Sequence, residues 1–324
     1  MRKTLREAIS MHYILNGKEL SCCAVGTWAW GTGANGSKIV FGNKPDETRL
    51  SETFSTATDL GFCLWDTAEV YGAGTSEALL GKLIAERSAD VILSTKHLPA
   101  SRYKKGECRR ALEGSLKRLR RDSIDIYWLH SPKNIEQNMA ELAFLQNEGL
   151  VRSIGLSNGS VYDIRLADIV LRENGASLAA IQNHFSLLSI ERESKVLTYC
   201  KKHDITFFGY MILEQGALTG KYDENHPFPA FSVRSMSFSR SKFRKIAPLI
   251  AEMKKLGEHY GVDTSQIAIA WAVAKGVVPI IGLTKPEQAV SLAQGMNVNL
   301  SSEEADKLER LALDCGVTCK GFWE

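Results

Sequence analysis

Eight short apolar runs, separated by longer amphipathic stretches, constrain this chain more than any other feature. They are CCAVGT (22–27), FCLWD (62–66), DVILSTK (90–96), IDIYWLH (124–130), VRSIGLSN (151–158), LAAIQN (178–183), ITFFGY (205–210) and VVPIIG (277–282). Each is continuously apolar rather than alternating, as strands buried on both faces are. Between them, apolar residues recur at helical spacing. In ECRRALEGSLKRLRRD (107–122), Ala111, Leu112, Leu116 and Leu119 share one face. NIEQNMAELAFLQNEG (134–149), which Gly149 can close, and ERESKVLTYCKKHD (191–204) read the same way. Strand and helix alternating eight times predict an α/β chain folded as a (β/α)8 TIM barrel, and 324 residues suffice for one. Alternation alone leaves a doubly wound sheet as the alternative. No linker or tandem domain interrupts the pattern, so a single barrel domain over residues 1–324 is expected.

Two stretches depart from the repeat. About 65 residues separate the seventh and eighth runs, opening with NHPFPAFSVRSMSFSRSKF (225–243) and continuing as two helical patterns, 244–260 and 264–276. Connections this long often cover a site. SSEEADKLERLALDC (301–315) reads as an extra C-terminal helix with an acidic first turn. A net charge of +3, with both signs interleaved, argues against a nucleic-acid or acidic-membrane partner. No apolar run is long enough to span a bilayer, and the N-terminal residues lack the core of a secretory signal. Seven scattered cysteines suit a reducing compartment, so the chain is expected to be cytoplasmic. Nothing in the sequence fixes an oligomeric state. Cys315 and Cys319 have no His or Cys pair to complete a metal site, so none is expected.

GTGANG (31–36) matches the spacing of a dinucleotide-binding loop. That loop needs a helix to open on its glycines. SKIVFGNKP follows instead, so a flexible loop is expected there.

In a barrel of this kind the chemistry stands at the C-terminal ends of the strands. Those ends carry Asp66, with Tyr71 just beyond it, then Lys96 and His130. A phenol is a reluctant acid at neutral pH, and a nearby ammonium stabilises its anion. Lys96 can supply that charge, Asp66 can keep Lys96 protonated, and His130 can fix a substrate oxygen against the phenol. The group suits proton delivery to a carbonyl oxygen. No side chain is an evident nucleophile toward the carbon, so hydride from a cofactor is the natural complement. Ser157, Asn158 and Gln182 at the next strand ends could bond a carboxamide, and Tyr210 offers an aromatic face.

Taken in order, VGTWAWG (25–31), WDTAEVYG (65–72), LSTK (93–96), DIYWLH (125–130), GLVRSIGLSN (149–158), IQNHFSLL (181–188), GYMILEQGALTGKY (209–222) and PIIGLTKPEQ (279–288) make the chain resemble an aldo-keto reductase along nearly its whole length. The resemblance implies NAD(P)H-dependent reduction of an aldehyde or ketone, with Tyr71 as general acid, tuned by Lys96 and Asp66, and His130 orienting the carbonyl. It implies that Ser157, Asn158 and Gln182 hold the nicotinamide carboxamide and that Tyr210 stacks on the ring. Thr27 and Trp28 would edge the cofactor, and Leu213, Gly216 and Leu218 would pass over the pyrophosphate. Gly282, Thr284, Lys285 and Gln288 fall where the family grips the adenosine end. A lysine there favours NADPH over NADH, because a point cation complements a 2′-phosphate.

Met211-Ile212 stands where many members have Ser-Pro, and Trp65 where Phe or Ile is common; strand alternation turns Trp65 away from the pocket. Trp28 and Trp30, with Tyr71 and His130, are the expected substrate pocket for a small carbonyl compound. The 225–243 insertion and Phe322-Trp323 are further wall candidates. Two other classes remain open. Lys96 could be the Schiff-base lysine of an aldolase, or the barrel could be a cofactor-binding regulatory protein, as in potassium-channel β subunits.

Overall fold

The structure, a computed structural model, describes residues 13–15, 18–20, 23–33, 36–38, 42, 46–229 and 233–319. All eight apolar runs form strands. They are β3 (Ala24–Gly26), β4 (Leu64–Asp66), β5 (Ile92–His97), β6 (Ile124–Leu129), β7 (Val151–Ser157), β8 (Leu178–His184), β9 (Thr206–Tyr210) and β10 (Val278–Gly282). Every pairing is parallel, and β10 bonds both β9 and β3 to close the barrel. The doubly wound alternative is thereby excluded.

A hairpin of β1 (Tyr13–Leu15) and β2 (Lys18–Leu20) precedes the barrel and was not expected. Leu15 packs with Ala24, Leu64, Ile126, Ala180 and Val278 at the barrel's N-terminal end. Its strands are three residues each, too short to show a period.

The barrel helices are α1 (Glu47–Asp59), α2 (Thr75–Arg87), α3 (Glu107–Leu119), α4 (Ile135–Asn147), α5 (Val161–Glu173) and α6 (Ile190–Lys202). Gly149 follows α4 at φ +79°, a conformation that costs glycine little. Capping boxes fix the starts of several helices. Ser160 and Asp163 do this for α5, where hydroxyl and carboxylate each satisfy an amide the helix cannot. The long insertion holds α7 (Val233–Ser237), α8 (Arg240–Tyr260) and α9 (Thr264–Ala274), and α10 (Pro286–Gly295) and α11 (Ser302–Asp314) end the fold. Asp263 with Gln266 starts α9, and Ser301 with Glu304 starts α11.

The barrel interior is a packed core. Trp128 fills it with Phe208 edge-on at 5.2 Å, beside Ile126, Ala180 and Ile280. Gly155 on β7 makes the space, since a Cβ there would lie 2.1 Å from the Trp128 ring. Trp65 turns outward as expected, fully buried against Phe54 and Trp30.

The glycines of GTGANG serve packing. A Cβ on Gly31 would lie 2.7 Å from the Gly72 amide, and one on Gly36 2.7 Å from the Gly31 carbonyl. The expectation that no helix opens there needs correcting, because Ser37 and Lys38 are helical; residues 39–41 lie outside the described residues. No described helix is long and apolar enough to cross a membrane.

Candidate active site

Strand register assembles the site. Asp66 lies opposite Ser94, Lys96 opposite Trp128, and Ser157 opposite Gln182. Because side chains alternate along a strand, Ser94 and Lys96 on β5 share the inward face. Ser94 Oγ donates to Asp66 Oδ1 at 2.7 Å and Trp128 Nε1 donates to Ser94 Oγ at 2.6 Å. Gln182 Nε2 reaches the same Asp66 oxygen from β8 at 3.1 Å. Asp66 Oδ2 accepts from Lys96 Nζ at 2.5 Å. The ammonium also donates to the Thr67 carbonyl at 2.7 Å and faces Tyr71 OH at 3.4 Å. A buried ion pair persists only when its remaining donors and acceptors are met, and here they are.

That arrangement sets the ionisation states. Burial pulls the Lys96 ammonium down, but the charges of Asp66 and Tyr71 and its hydrogen bonds to both outweigh it, and its pKa is raised. A charged, fully bonded amine is not a nucleophile, which argues against the Schiff-base reading. For Tyr71, burial pushes the phenol up, Lys96 pulls it down and Asp66 pushes it up again; the net direction is upward. Lys96 pulls the phenol down as expected, but that pull does not bring it toward neutrality, because desolvation of the anion is the larger effect. The phenol stays protonated, as a general acid requires.

Tyr71 begins a tight turn in which Gly72, Ala73 and Gly74 adopt φ of +59°, +53° and +90°. Trp28 stacks on its ring at 5.7 Å and His130 meets it edge-on at 6.1 Å. His130 follows β6, its amide donating to the His97 carbonyl at 2.8 Å. Burial, then the positive charge of Lys96, lowers its pKa to about 3, so the ring is neutral at ordinary pH. His97, behind it, bonds Glu69 at 2.8 Å.

A second group lies at the ends of β7, β8 and β9. Ser157 Oγ donates to the Gln182 carbonyl at 2.8 Å, Asn158 Nδ2 donates to the His130 carbonyl at 3.1 Å, and Tyr210 OH donates to Asn158 Oδ1 at 2.6 Å. His184 stacks on the Tyr210 ring at 5.6 Å, and its Nε2 lies 2.7 Å from Glu214 Oε1. Leu213 is partly buried, Gly216 has φ +107°, and Gly282 and Lys285 are exposed. Gln288 Oε1 accepts from the Thr284 amide at 2.8 Å at the start of α10.

Three expected residues are turned away. Trp30, expected on the pocket wall, is in the core; its indole donates to the Leu283 carbonyl at 2.6 Å and its ring packs on Trp65. Thr27 is fully buried, its hydroxyl bonded to the Asp66 carbonyl and Ser76, so its side chain cannot edge a cofactor. Leu218 is likewise in the core, leaving only main chain to a ligand. The described aromatics of 225–243 pack on one another, Phe228 and Phe238 each 5.3 Å from Phe243. Phe228 and Phe238 line a cavity that includes none of Asp66, Tyr71, Lys96 and His130. Phe322-Trp323 lies outside the described residues. Sequence reasoning missed Ser94, which period-two alternation from Lys96 could have found, and also Trp128, His184 and Glu214.

The Aldo/keto reductase family profile matches residues 23–313. Over 307 residues, 89% of this chain and 88% of the relative, the chain is 32% identical to Aldo-keto reductase YhdN of Bacillus subtilis. It is 30% identical to the chloroplastic pyridoxal reductase of Arabidopsis thaliana over 89% of this chain and 82% of that protein. Among solved structures, the glycerol dehydrogenase AKR11B4 of Gluconobacter oxydans superposes with a TM-score of 0.78 at 30% identity, covering 91% and 92% of the two chains. An aldo/keto reductase from Klebsiella pneumoniae, in complex with NADP and acetate, does so at 0.72 and 25% identity over 93% and 95%. With a closed parallel barrel and a family match over most of its length, the chain belongs to the aldo/keto reductase family of oxidoreductases.

Proposed function

We propose that the chain reduces an aldehyde or ketone to an alcohol with hydride from NADPH. The observation that carries this is the placement of Lys96 Nζ between Asp66 Oδ2 and the Tyr71 hydroxyl, with the neutral His130 ring against Tyr71. The donor set fits a nicotinamide. Ser157, Asn158 and Gln182 would hold its carboxamide, and Tyr210 presents a flat ring backed by His184. When bound, the cofactor supplies hydride to the carbonyl carbon.

The chain's own residues handle the rest. His130 donates a hydrogen bond that orients the carbonyl oxygen. Tyr71 gives its proton to that oxygen as negative charge develops. Lys96 stabilises the phenolate left behind, and Asp66, held by Ser94 and Gln182, keeps Lys96 charged and in place. Trp28, stacked on the phenol, forms one wall of a pocket for a small carbonyl compound.

Lys285 supports NADPH over NADH. It is exposed where α10 begins, close enough to Glu287 to act on it, as is Arg49, and a phosphate would meet positive charge at a helix N-terminus. NADP in the Klebsiella pneumoniae structure agrees with this choice.

The test is cofactor oxidation with a panel of aldehydes and ketones, NADPH and NADH in parallel, for the wild type and Tyr71→Phe. The expected result is turnover with NADPH preferred, abolished in Tyr71→Phe while NADPH still quenches tryptophan fluorescence. Wild-type turnover in Tyr71→Phe would overturn the assignment of the acid. Equal use of NADH would overturn the cofactor choice. NADPH binding without turnover across the panel would move the reading to a cofactor-binding regulatory barrel.

A further inference from the structure

We propose that His184 and Glu214 are positioning residues that hold the Tyr210 platform and its following turn in the shape that binds the nicotinamide cofactor; this rests on the cofactor reading above. Tyr210 is fixed at both ends. Its hydroxyl is tied to Asn158, and its ring lies against His184, inclined by 29°. His184 is itself anchored by the Glu214 carboxylate. The same Glu214 oxygen accepts from Ser186 Oγ, and Ser186 also accepts the Leu188 amide at 3.0 Å. His184 and Glu214 are 2% and 4% exposed, so this is a buried hydrogen-bonded contact built into the base of the platform.

The backbone around it explains why such an anchor is placed there. Met211, Glu214, Gln215 and Gly216 have φ of +62°, +46°, +56° and +107°. Three of these residues are not glycine, and a left-handed residue of that kind persists only where its surroundings fix it. The Glu214 side chain pins the turn to β8. The same turn borders open space. A cavity of about 220 Å³ is lined by His184, Met211, Glu214, Phe228, Phe238 and Lys242 among others. Released from Glu214, His184 has room to move into that cavity, and Tyr210 loses its backing.

The pair is therefore expected to set cofactor affinity far more than the chemical step, because neither residue is among the groups that act on the carbonyl. The experiment measures NADPH dissociation constants by tryptophan quenching for the wild type, Glu214→Ala and the near-isosteric Glu214→Gln, with circular dichroism to confirm folding. Turnover at saturating cofactor is measured alongside. Glu214→Ala is expected to weaken NADPH by about tenfold or more, the scale of a buried hydrogen bond lost with its partner left unsatisfied. Turnover at saturation should fall much less, and Glu214→Gln should recover part of the affinity. A purely structural role would lower stability and leave the dissociation constant of the folded fraction unchanged, which would overturn the proposal. So would loss of folded protein in both variants, since the pair would then serve the whole fold. If the wild type binds neither NADPH nor NADH, the cofactor reading fails first, and with it the inference.

Discussion

Asp66 is the residue on which the candidate site converges, because its two oxygens collect bonds from three other strand positions. Asp66→Asn keeps the shape but removes the charge that balances Lys96. Breaking a buried pair on one side costs about 3–5 kcal/mol. A loss of that order is expected in urea denaturation, with carbonyl reduction strongly impaired. His130 gives a second expectation, on pH. Its imidazole takes a proton near 6.5 in the unfolded chain and only near 3 in the folded one. Between those values the unfolded state binds more protons, so the stability His130 contributes is full above 6.5 and is lost as pH falls toward 3. His130→Asn should make the acid side of the stability curve shallower, and kcat/KM should show no inflection near 6.5 from this ring. Residue identities at this scale were legible, since Asp66, Lys96 and His130 stand at strand ends and Tyr71 just beyond one, where a barrel gathers its chemistry. The ionisation of Tyr71 was not, because desolvation depends on packing that the sequence does not display.

At the scale of elements, the strands were legible from continuous apolar runs, and the turns were not. The Tyr71 turn shows why. Its three consecutive left-handed residues arise from the close approach of Gly31, Thr32 and Thr75, contacts that join distant parts of the chain. A Cβ on Gly72 would lie 2.3 Å from Thr75 Oγ1 and 2.5 Å from the Thr32 carbonyl. Gly72→Ala is therefore expected to displace the phenol and lower kcat/KM by about ten- to a hundredfold, as misplacing a catalytic group by an ångström can. Steady-state kinetics with NADPH checks this, with cofactor quenching retained, because the change lies on the proton-donating side. The same limit hid the turn after β9. GYMILEQGALTGKY marks where a cofactor segment falls, but nothing in its spacing says that Glu214 points inward or that Leu218 joins the core.

For the molecule as a whole, period and spacing predicted the closed barrel, and the β1–β2 hairpin escaped because its strands are too short to carry a pattern. Leu15 nevertheless sits among inward-facing residues at the end opposite the candidate site. Leu15→Asp would bury a carboxylate with no partner and should lower the denaturation midpoint, a cost of about 2–5 kcal/mol. NADPH affinity of the folded fraction should be unchanged, because the hairpin and the candidate site occupy opposite ends. The hydrogen-bonded line Trp128–Ser94–Asp66–Gln182 has a consequence for the whole barrel. It crosses from β6 through β5 and β4 to β8, so the groups that tune the acid are joined across the ring. A seam that parts between any of these strands breaks a link in this line. With the site as proposed, catalysis would be a gauge of closure: carbonyl reduction is expected to be lost at a lower urea concentration than the far-ultraviolet circular dichroism of the helices.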